Sequence, residues 1–410
     1  MKNIISKKIS EFKTAAGIMS GTSLDGIDVL ITRIKGAGVK TRFVNAAFKV
    51  FAIPPGLKAK MRGIMHSKCA SLEDICRINY EISALYAACV KKLCASSGLK
   101  ISDLDFIGIS GQTFYHIPGA ATLQLGSGAY MSALLNKPVV WDFRAADIAA
   151  GGQGAPLVPY LDYILFAGAG HEVITLNIGG ISNLTHIPPG ARFDEIKAFD
   201  CGPGNMIIDK MIMHISGGRL KYDKNAKAAL GGKISPPLFK LMKSHPYLKK
   251  TPPKSTGREV FGDSYTAALI EYCKSNGISF SDMIRTATEF SVYCVINDIK
   301  NHIINKKTPA AGCERGPKKT AVECETAPVN LICSGGGSQN PLIFDLLDKG
   351  LAPFGIKTIK SRQMNVESKS KEALLIAVLA NETVYGRASN VPSATGAKKS
   401  VVCGSVAYQQ

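Results

Sequence analysis

Gly17-Ile18-Met19-Ser20-Gly21-Thr22-Ser23-Leu24-Asp25-Gly26-Ile27-Asp28, GIMSGTSLDGID, is flanked on both sides by apolar, β-prone sequence. Closing a two-strand hairpin needs no more than an Asn-Gly or Asp-Gly step. This turn holds instead two glycines, Gly21 and Gly26, three hydroxyl residues, Ser20, Thr22 and Ser23, and two carboxylates, Asp25 and Asp28. Backbone N–H groups reach a bound anion only where side chains are small or missing. The surplus of small and polar residues therefore points to a ligand, and the apolar flanks to a sheet that presents the turn.

Downstream, Asp28 to Lys35 and Lys40 to Ile53 read as two further strands, rich in Val, Ile and Phe. Ser71 to Ser97 has helical spacing, with Leu72, Ile75, Ile78, Ile82, Leu85, Val90 and Leu93 on one stripe. A strand at Asp105 to Ser110, a helix around Ala129 to Leu135 and a strand at Pro138 to Trp141 complete an α/β order. Near Glu172 the pattern restarts: EVITLNIGGISNLTHI is again strand, glycine turn and strand, followed by a short strand at Ile196 to Phe199 and a helix from about Asn205. The two hairpins differ letter by letter, so the duplication they suggest is structural.

Helices are predicted over Asp263 to Ser275 and Ser281 to Asn305, a third strand-turn-helix over Val329 to Lys349, and a last helix from about Lys369 to Tyr385. The expected division is one lobe over 1–170 and a second over 171–410, with the last helix able to pack back on the first. Lys306 to Ala327 has no apolar periodicity and reads as a flexible insertion; its Cys313 and Cys324 lack the companions a zinc site needs.

At 410 residues, 46% hydrophobic and 20% charged, the chain is globular and long enough for two domains. No run is apolar for the roughly 18 to 20 residues a membrane helix requires. The start, MKNIISKKISEF, has no apolar core followed by a cleavage site, and the 11 cysteines form neither a CxxC pair nor a zinc spacing. A cytoplasmic protein with reduced thiols and no membrane partner is expected. The net charge of +19 comes from dispersed lysines without any nucleic-acid-binding signature, so no nucleic-acid partner is expected; the field favours anionic small ligands.

Three glycine turns entered from apolar strands suit a nucleotide. In the first, Thr22 and Ser23 offer hydroxyl donors to phosphate, and Asp25 and Asp28 suit magnesium held mostly through water. In the second, Asn177, Gly179, Gly180 and Asn183 of NIGGISN face the phosphates from the opposite side. Gly335, Gly336 and Gly337 of SGGGSQN open a helix and suit the adenosine end or α-phosphate. Neither G-x-x-x-x-G-K-[ST] nor an intact G-x-G-x-x-G is present, which disfavours a P-loop or a Rossmann site.

The stretch from Trp141 to Leu157, WDFRAADIAAGGQGAPL, reads as the site of a second substrate. Arg144 can fork onto a carboxylate, and Asp142 or Asp147 can accept sugar hydroxyl protons; the alternative is an Arg/Asp pair that fastens a loop. In FDCGPGN, Asp200 ends a strand and is separated from the next helix by Cys201 to Gly204, which frees it to act as a base in phosphoryl transfer.

Together these segments resemble the anhydro-N-acetylmuramic acid kinases, members of the sugar-kinase, actin and heat-shock ATPase superfamily. The matching words are GIMSGTSLDGID, GQT at Gly111 to Thr113, DFRAADIAAGGQGAPLVP, LNIGGISNLT, FDCGPGN, KSTGREVF, SGGGSQN, KEALLIAVLANET and NVPSATGA, and they span nearly the whole chain in family order. The resemblance implies a duplicated actin-like, ribonuclease H-like α/β fold with two lobes around a cleft. It implies an enzyme that uses ATP and magnesium to convert 1,6-anhydro-N-acetylmuramic acid and water to N-acetylmuramic acid 6-phosphate and ADP in peptidoglycan recycling.

The base of the family falls on Asp200, the ATP loop on Ser20, Gly21, Thr22, Ser23, Leu24, Asp25, Gly26 and Ile27, and the substrate side on Thr113, Arg144, Gln153, Gly202 and Glu372. Read alone, Glu372 is an ordinary helix-surface carboxylate, and KSTGREVF is lining without a defined role. Ser110 stands where the family usually has His, Ser334 where Gly is common and Ser127 where an acidic or amide residue is frequent. Two other readings stay open: a kinase of another anhydro-sugar and a non-catalytic actin-like ATP-binding scaffold. The sequence also leaves open whether two copies pair as a homodimer.

Overall fold

The first strand, β1 (Lys13–Ser20), is largely buried on both faces, and its sequence KTAAGIMS accordingly shows no polar alternation. The computed structural model describes residues 8–67, 70–304, 329–361 and 370–408. After β1 come β2 (Ile27–Lys35), β3 (Arg42–Phe51), α1 (Pro55–His66), α2 (Leu72–Ser96), β4 (Phe106–Ile117), β5 (Ala121–Leu125), α3 (Gly128–Leu135), β6 (Val139–Trp141), α4 (Ala145–Ala149) and α5 (Val158–Phe166). A second series runs β7 (Val173–Ile178), β8 (Ile181–Ile187), β9 (Lys197–Pro203), α6 (Met206–Ile215), α7 (Lys227–Leu230), α8 (Pro236–Lys243), α9 (Arg258–Phe261), α10 (Asp263–Ser275), α11 (Phe280–Ile299), β10 (Val329–Ser334), α12 (Pro341–Leu351) and β11 (Ile356–Lys360). Last come α13 (Lys371–Val384), α14 (Pro392–Thr395) and β12 (Ser405–Ala407).

Two sheets organise these elements. The first has the order β12-β6-β4-β1-β2-β3, with β5 paired to β4; the second has the order β11-β10-β7-β8-β9. In each, the first three core strands form an antiparallel meander and the next two join in parallel beside the first: β4 and β6 in one, β10 and β11 in the other. One topology thus occurs twice, which is the duplicated actin-like arrangement.

The described residues divide into two compact units, one running to Gly168 and resuming at α13, the other beginning at Ala169. The first unit is thus built from two separate stretches of the chain, the second from one. β12 pairs antiparallel with β6, Val406 opposite Val140, and α13 lies on β1 and β4. Glycine permits that approach: a Cβ on Gly17 would run into the Ala373 carbonyl, and one on Gly108 would lie 2.7 Å from the Ile376 carbonyl oxygen. Gly17 therefore serves helix packing rather than the ligand turn.

In the first unit, α2 covers the sheet through Ile78, Ile82, Tyr86, Val90 and Leu93, each buried beside Ile18, Val29, Ile107 and Ile109. Each such aliphatic side chain contributes about 1.5–3 kcal/mol by leaving water. Leu72, at the head of the predicted stripe, is 80% exposed; it is the first residue of α2, directly after the Ser71 cap. The second core gathers α6, α11 and α12 around Leu176, Leu184 and Phe199.

Other differences are local. The strand predicted at Asp105 to Ser110 continues to Ile117 and turns back as β5. The helix predicted to Asn305 ends at Ile299 and continues as a π-helical turn over Lys300–Ile304. The whole of the predicted insertion, with Cys313 and Cys324, lies outside the described residues. Among those described, no helix is long and apolar enough to cross a membrane.

Candidate active site

The turn after β1 is braced from β4. Ser20 and Gln112 are register partners; Ser20 Oγ donates to Gln112 Oε1 at 2.6 Å, and Gln112 Nε2 donates to the Gly21 carbonyl at 3.2 Å. Leu24 takes a left-handed conformation (φ 56) and buries its side chain, while Ile27 is buried at the head of β2. These anchors leave Thr22, Ser23 and Asp25 exposed and Gly21 with open space around its Cα. Gly26 is required for a different reason: a Cβ there would lie 2.7 Å from Val50 on β3. Leu24, Gly26 and Ile27 can meet a ligand only through their backbone.

In the same unit a pocket of about 210 Å³ is lined by Met19, Ser110, Phe143, Arg144, Ala155 to Val158, Glu372, Leu375 and Ile376. Arg144 Nη1 donates to the Gly154 carbonyl at 2.7 Å, so the guanidinium is fixed with its remaining donors available. Glu372, in the first turn of α13, reaches solvent through this pocket yet is crowded by protein; desolvation raises its carboxyl, against the pull of Lys371 and Arg144. Asp28 on β2 is pushed up to about 6, by burial first and by the Glu372 charge second. Lys371 itself is tied to Asp162 at 2.5 Å. Glu372 is thus a pocket carboxylate rather than a plain surface one.

Ser110 also lines a neighbouring pocket of about 290 Å³ with Asn79, Gln124, Ser127, Trp141 and Asp142. Thr113 lines neither pocket; its Oγ1 accepts from Gln124 Nε2 at 3.4 Å inside the β4–β5 hairpin. Gln153 also lies outside both, its N–H donating to the Thr395 carbonyl at 2.8 Å. Asp147 is fully buried and accepts from Gly154 N, Asn390 Nδ2 and Thr395 Oγ1 at 2.8, 2.7 and 2.7 Å. The reading of Asp147 as an acceptor for sugar hydroxyls is therefore corrected: these donors occupy it, and it joins the glycine loop to NVPSATG.

The second unit carries its own polar row. Ser334, Asn177, Asn183 and Asp200 are successive register partners across β10, β7, β8 and β9, so their side chains share one sheet face. Around the row, the β7–β8 and β9–α6 turns interlock: Gly204 N–H donates to the Gly180 carbonyl and Asn205 N–H to the Gly179 carbonyl, both at 2.8 Å. Gly335 (φ 81) closes on the β7–β8 hairpin, where a Cβ would lie 2.6 Å from the Ile178 carbonyl oxygen, and Gly337 packs on the Ile178 side chain. Gly180 and Gly336 remain exposed, and Gly179 is half-buried with room around its Cα.

A pocket of about 510 Å³ adjoins these turns, lined by Asn205, Ile208, Asp209, residues 221–225, Gly336, Gln339 and Asn340. Asn340 Oδ1 accepts from Leu342 and Ile343 N–H at 3.0 and 3.2 Å, which satisfies the first turn of α12. The group exposed beside this pocket is therefore the glycine turn rather than an open helix end.

Asp200 lies within β9, not at its end, where β8 and β9 slip register between Ser182 and Asn183. Such a bulge re-aims a side chain. Its N–H donates to the Lys254 carbonyl at 3.1 Å, its carbonyl accepts from Tyr247 Oη at 2.8 Å, and its Oδ2 accepts from Thr256 N–H at 2.9 Å. Burial pushes its carboxyl up to about 6; the Thr256 hydrogen bond and Lys254 pull down, and Glu259 pushes up. Such a group is a base poised near neutrality. Gly202 is buried instead, its backbone (φ 147) against Cys294 of α11, where it serves packing.

Gln112, Tyr247, Lys254 and Thr256 have no assigned role in the sequence reading. GQT and KSTGREVF carry a signal as polar, glycine-bearing words; Tyr247 carries none. Among the described residues no group of three or more His, Cys, Asp or Glu is placed to hold a metal.

A family model described as anhydro-N-acetylmuramic acid kinase matches residues 13–409. A protein of that name from Bacillus cereus is 37% identical over 399 residues, covering 96% of this chain and 98% of the relative. One from Bacillus thuringiensis subsp. konkukian is 36% identical over 398 residues, with the same 96% and 98% coverage. Among solved structures, the activator of the 2-hydroxyisocaproyl-CoA dehydratase from Clostridium difficile with bound ADPNP aligns at TM-score 0.42 and 9% identity, covering 92% of this chain and 96% of that one. A ROK family glucokinase from Streptomyces griseus, in complex with glucose and AMPPNP, aligns at TM-score 0.37 and 13% identity over 89% and 98% of the chains.

Proposed function

The chain belongs to the anhydro-N-acetylmuramic acid kinase family, and from that premise we propose that it uses ATP to open and phosphorylate 1,6-anhydro-N-acetylmuramic acid. The products are N-acetylmuramic acid 6-phosphate and ADP, and the reaction serves peptidoglycan recycling in the cytoplasm. Asp200 takes a proton from water as the water oxygen attacks carbon 1; the carbon 1–oxygen 6 bond breaks, and oxygen 6 receives the γ-phosphoryl group as ADP leaves.

The remaining roles follow from the exposed groups. In the first unit Gly21, Thr22 and Ser23 are the groups that suit phosphate; in the second, Gly179, Gly180 and Gly336, with Asn177 and Asn183 beside them. The pocket at Asn205 and Gln339 takes the nucleoside. Arg144 forks onto the lactyl carboxylate, and Glu372 accepts a sugar hydroxyl. The donor set around Asp28 fits hydrated magnesium: a carboxylate pushed up to about 6 beside Glu372 gains from a nearby cation, and Asp25 is exposed in the same turn. Bound there, the ion would supply charge neutralisation to the phosphates.

The observation that carries the reading is the clamped, partly buried Asp200 at the end of the Ser334–Asn177–Asn183 row. Incubating the protein with the anhydro-sugar, ATP and magnesium in oxygen-18 water tests it. Label at carbon 1 of a 6-phosphorylated product is the expected result; an unlabelled product, or ADP release insensitive to sugar, overturns it.

A further inference from the structure

Lys254 and Asp298 form an ion pair whose side chains are 1% and 2% exposed, with Nζ 2.8 Å from both Oδ1 and Oδ2. Burying two charges is costly, and a pair kept only for stability is replaceable by well-packed apolar groups. This one is built around Asp200. The Lys254 carbonyl accepts the Asp200 N–H, and two residues on, Thr256 N–H donates to Asp200 Oδ2. The Lys254 ammonium lies 5.0 Å from the Tyr247 ring centre and 5.8 Å from that of Phe199. Tyr247 holds the Asp200 carbonyl, and Phe199 precedes Asp200 in β9. Every hydrogen bond named above for Asp200 thus comes from the Lys254 loop or from a ring the ammonium touches.

We propose that Lys254, fixed by Asp298, is the positioning residue that aims the Asp200 carboxylate. The proposal rests on the reading of Asp200 as the base. It also accounts for KSTGREVF, a word otherwise without a role: its lysine is the buried anchor, and its threonine supplies the N–H that orients the carboxylate.

The electrostatics agree with the geometry. The groups facing Asp200 are Glu259 from α9, which raises it, and Lys254, which lowers it. Asp298 from α11 stands behind Lys254, and His302 Nε2 lies 3.6 Å from Asp298 Oδ1. Tyr247, Cys201 and Cys294 face the same cluster and are kept neutral by burial. Of the charged groups, Lys254 is the one that lowers this carboxyl, adding to the larger pull of the Thr256 N–H that its own loop supplies.

The test compares Lys254→Met, Lys254→Arg, the double variant Lys254→Met/Asp298→Leu and Asp200→Asn, by ADP release across pH and by urea unfolding. Lys254→Met should lower kcat about a hundredfold with KM little changed, and move the acid limb of kcat/KM upward. Lys254→Arg should restore most of both. The double variant has no unpaired buried charge and should unfold near the wild-type urea midpoint while staying slow. A double variant with wild-type kcat and acid limb overturns the positioning role, even when Asp200→Asn is inactive. An active Asp200→Asn overturns the assignment of the base instead, so the two failures are distinct.

Discussion

Asn183 and Asp200 are direct cross-strand partners on β8 and β9, at the point where the two strands slip register. The bulge lets a strand residue, which would otherwise alternate strictly in or out, carry its carboxylate beside the polar row of the glycine turns. Position and chemistry are coupled there: partial burial raises the carboxyl, and the Thr256 N–H keeps one oxygen oriented.

Replacing the proposed base by its neutral isostere separates binding from turnover. Asp200→Asn should lower kcat by about 10²–10⁴-fold, with ATP affinity by calorimetry unchanged within about twofold. Near-normal kcat would remove Asp200 from the mechanism.

The pH profile follows from the same residue. A base must be ionised, so with Asp200 near 6 the acid limb of kcat/KM should fall below about pH 6 and flatten above it. A limb near 4 would mean that the site does not desolvate the carboxylate in the working enzyme.

Glu372 and Asp28 give a spectroscopic handle. Glu372→Gln removes the second cause of the raised Asp28 carboxyl, so Asp28 should move from about 6 toward the ordinary range while burial keeps it above. Carbon-13 titration of the Asp side chains reads this directly. Loss of a charged hydrogen bond to sugar should raise the sugar KM about tenfold or more.

Gly17→Ala tests the seat of α13. The new methyl meets the Ala373 carbonyl and must displace the helix. The expected loss is about 1–3 kcal/mol, seen as a lower melting temperature. An unchanged melting point would mean that α13 yields without cost.

Much of this was legible in the sequence, because the two hairpins and the three glycine turns are local patterns. The apolar run around Leu176 and the stripe through Ile82 and Val90 report burial directly. What was not legible depends on partners far along the chain. The need for glycine at position 17 shows only once α13 is seen against it, and Asp147 looks like a ligand group until Asn390 and Thr395 are seen to occupy it. β12 is a three-residue strand with no signal of its own, made a strand by β6.

The return of α13 and β12 to the first sheet also orders biosynthesis. Residues from Ala169 onward leave the ribosome and can close their own core before the last helix exists, whereas the first-made strands wait with the trough at Gly17 and Gly108 uncovered. The earliest part of the polypeptide to be synthesised is thus the last to be completed, and a message cut short before α13 yields a finished second half attached to an open one.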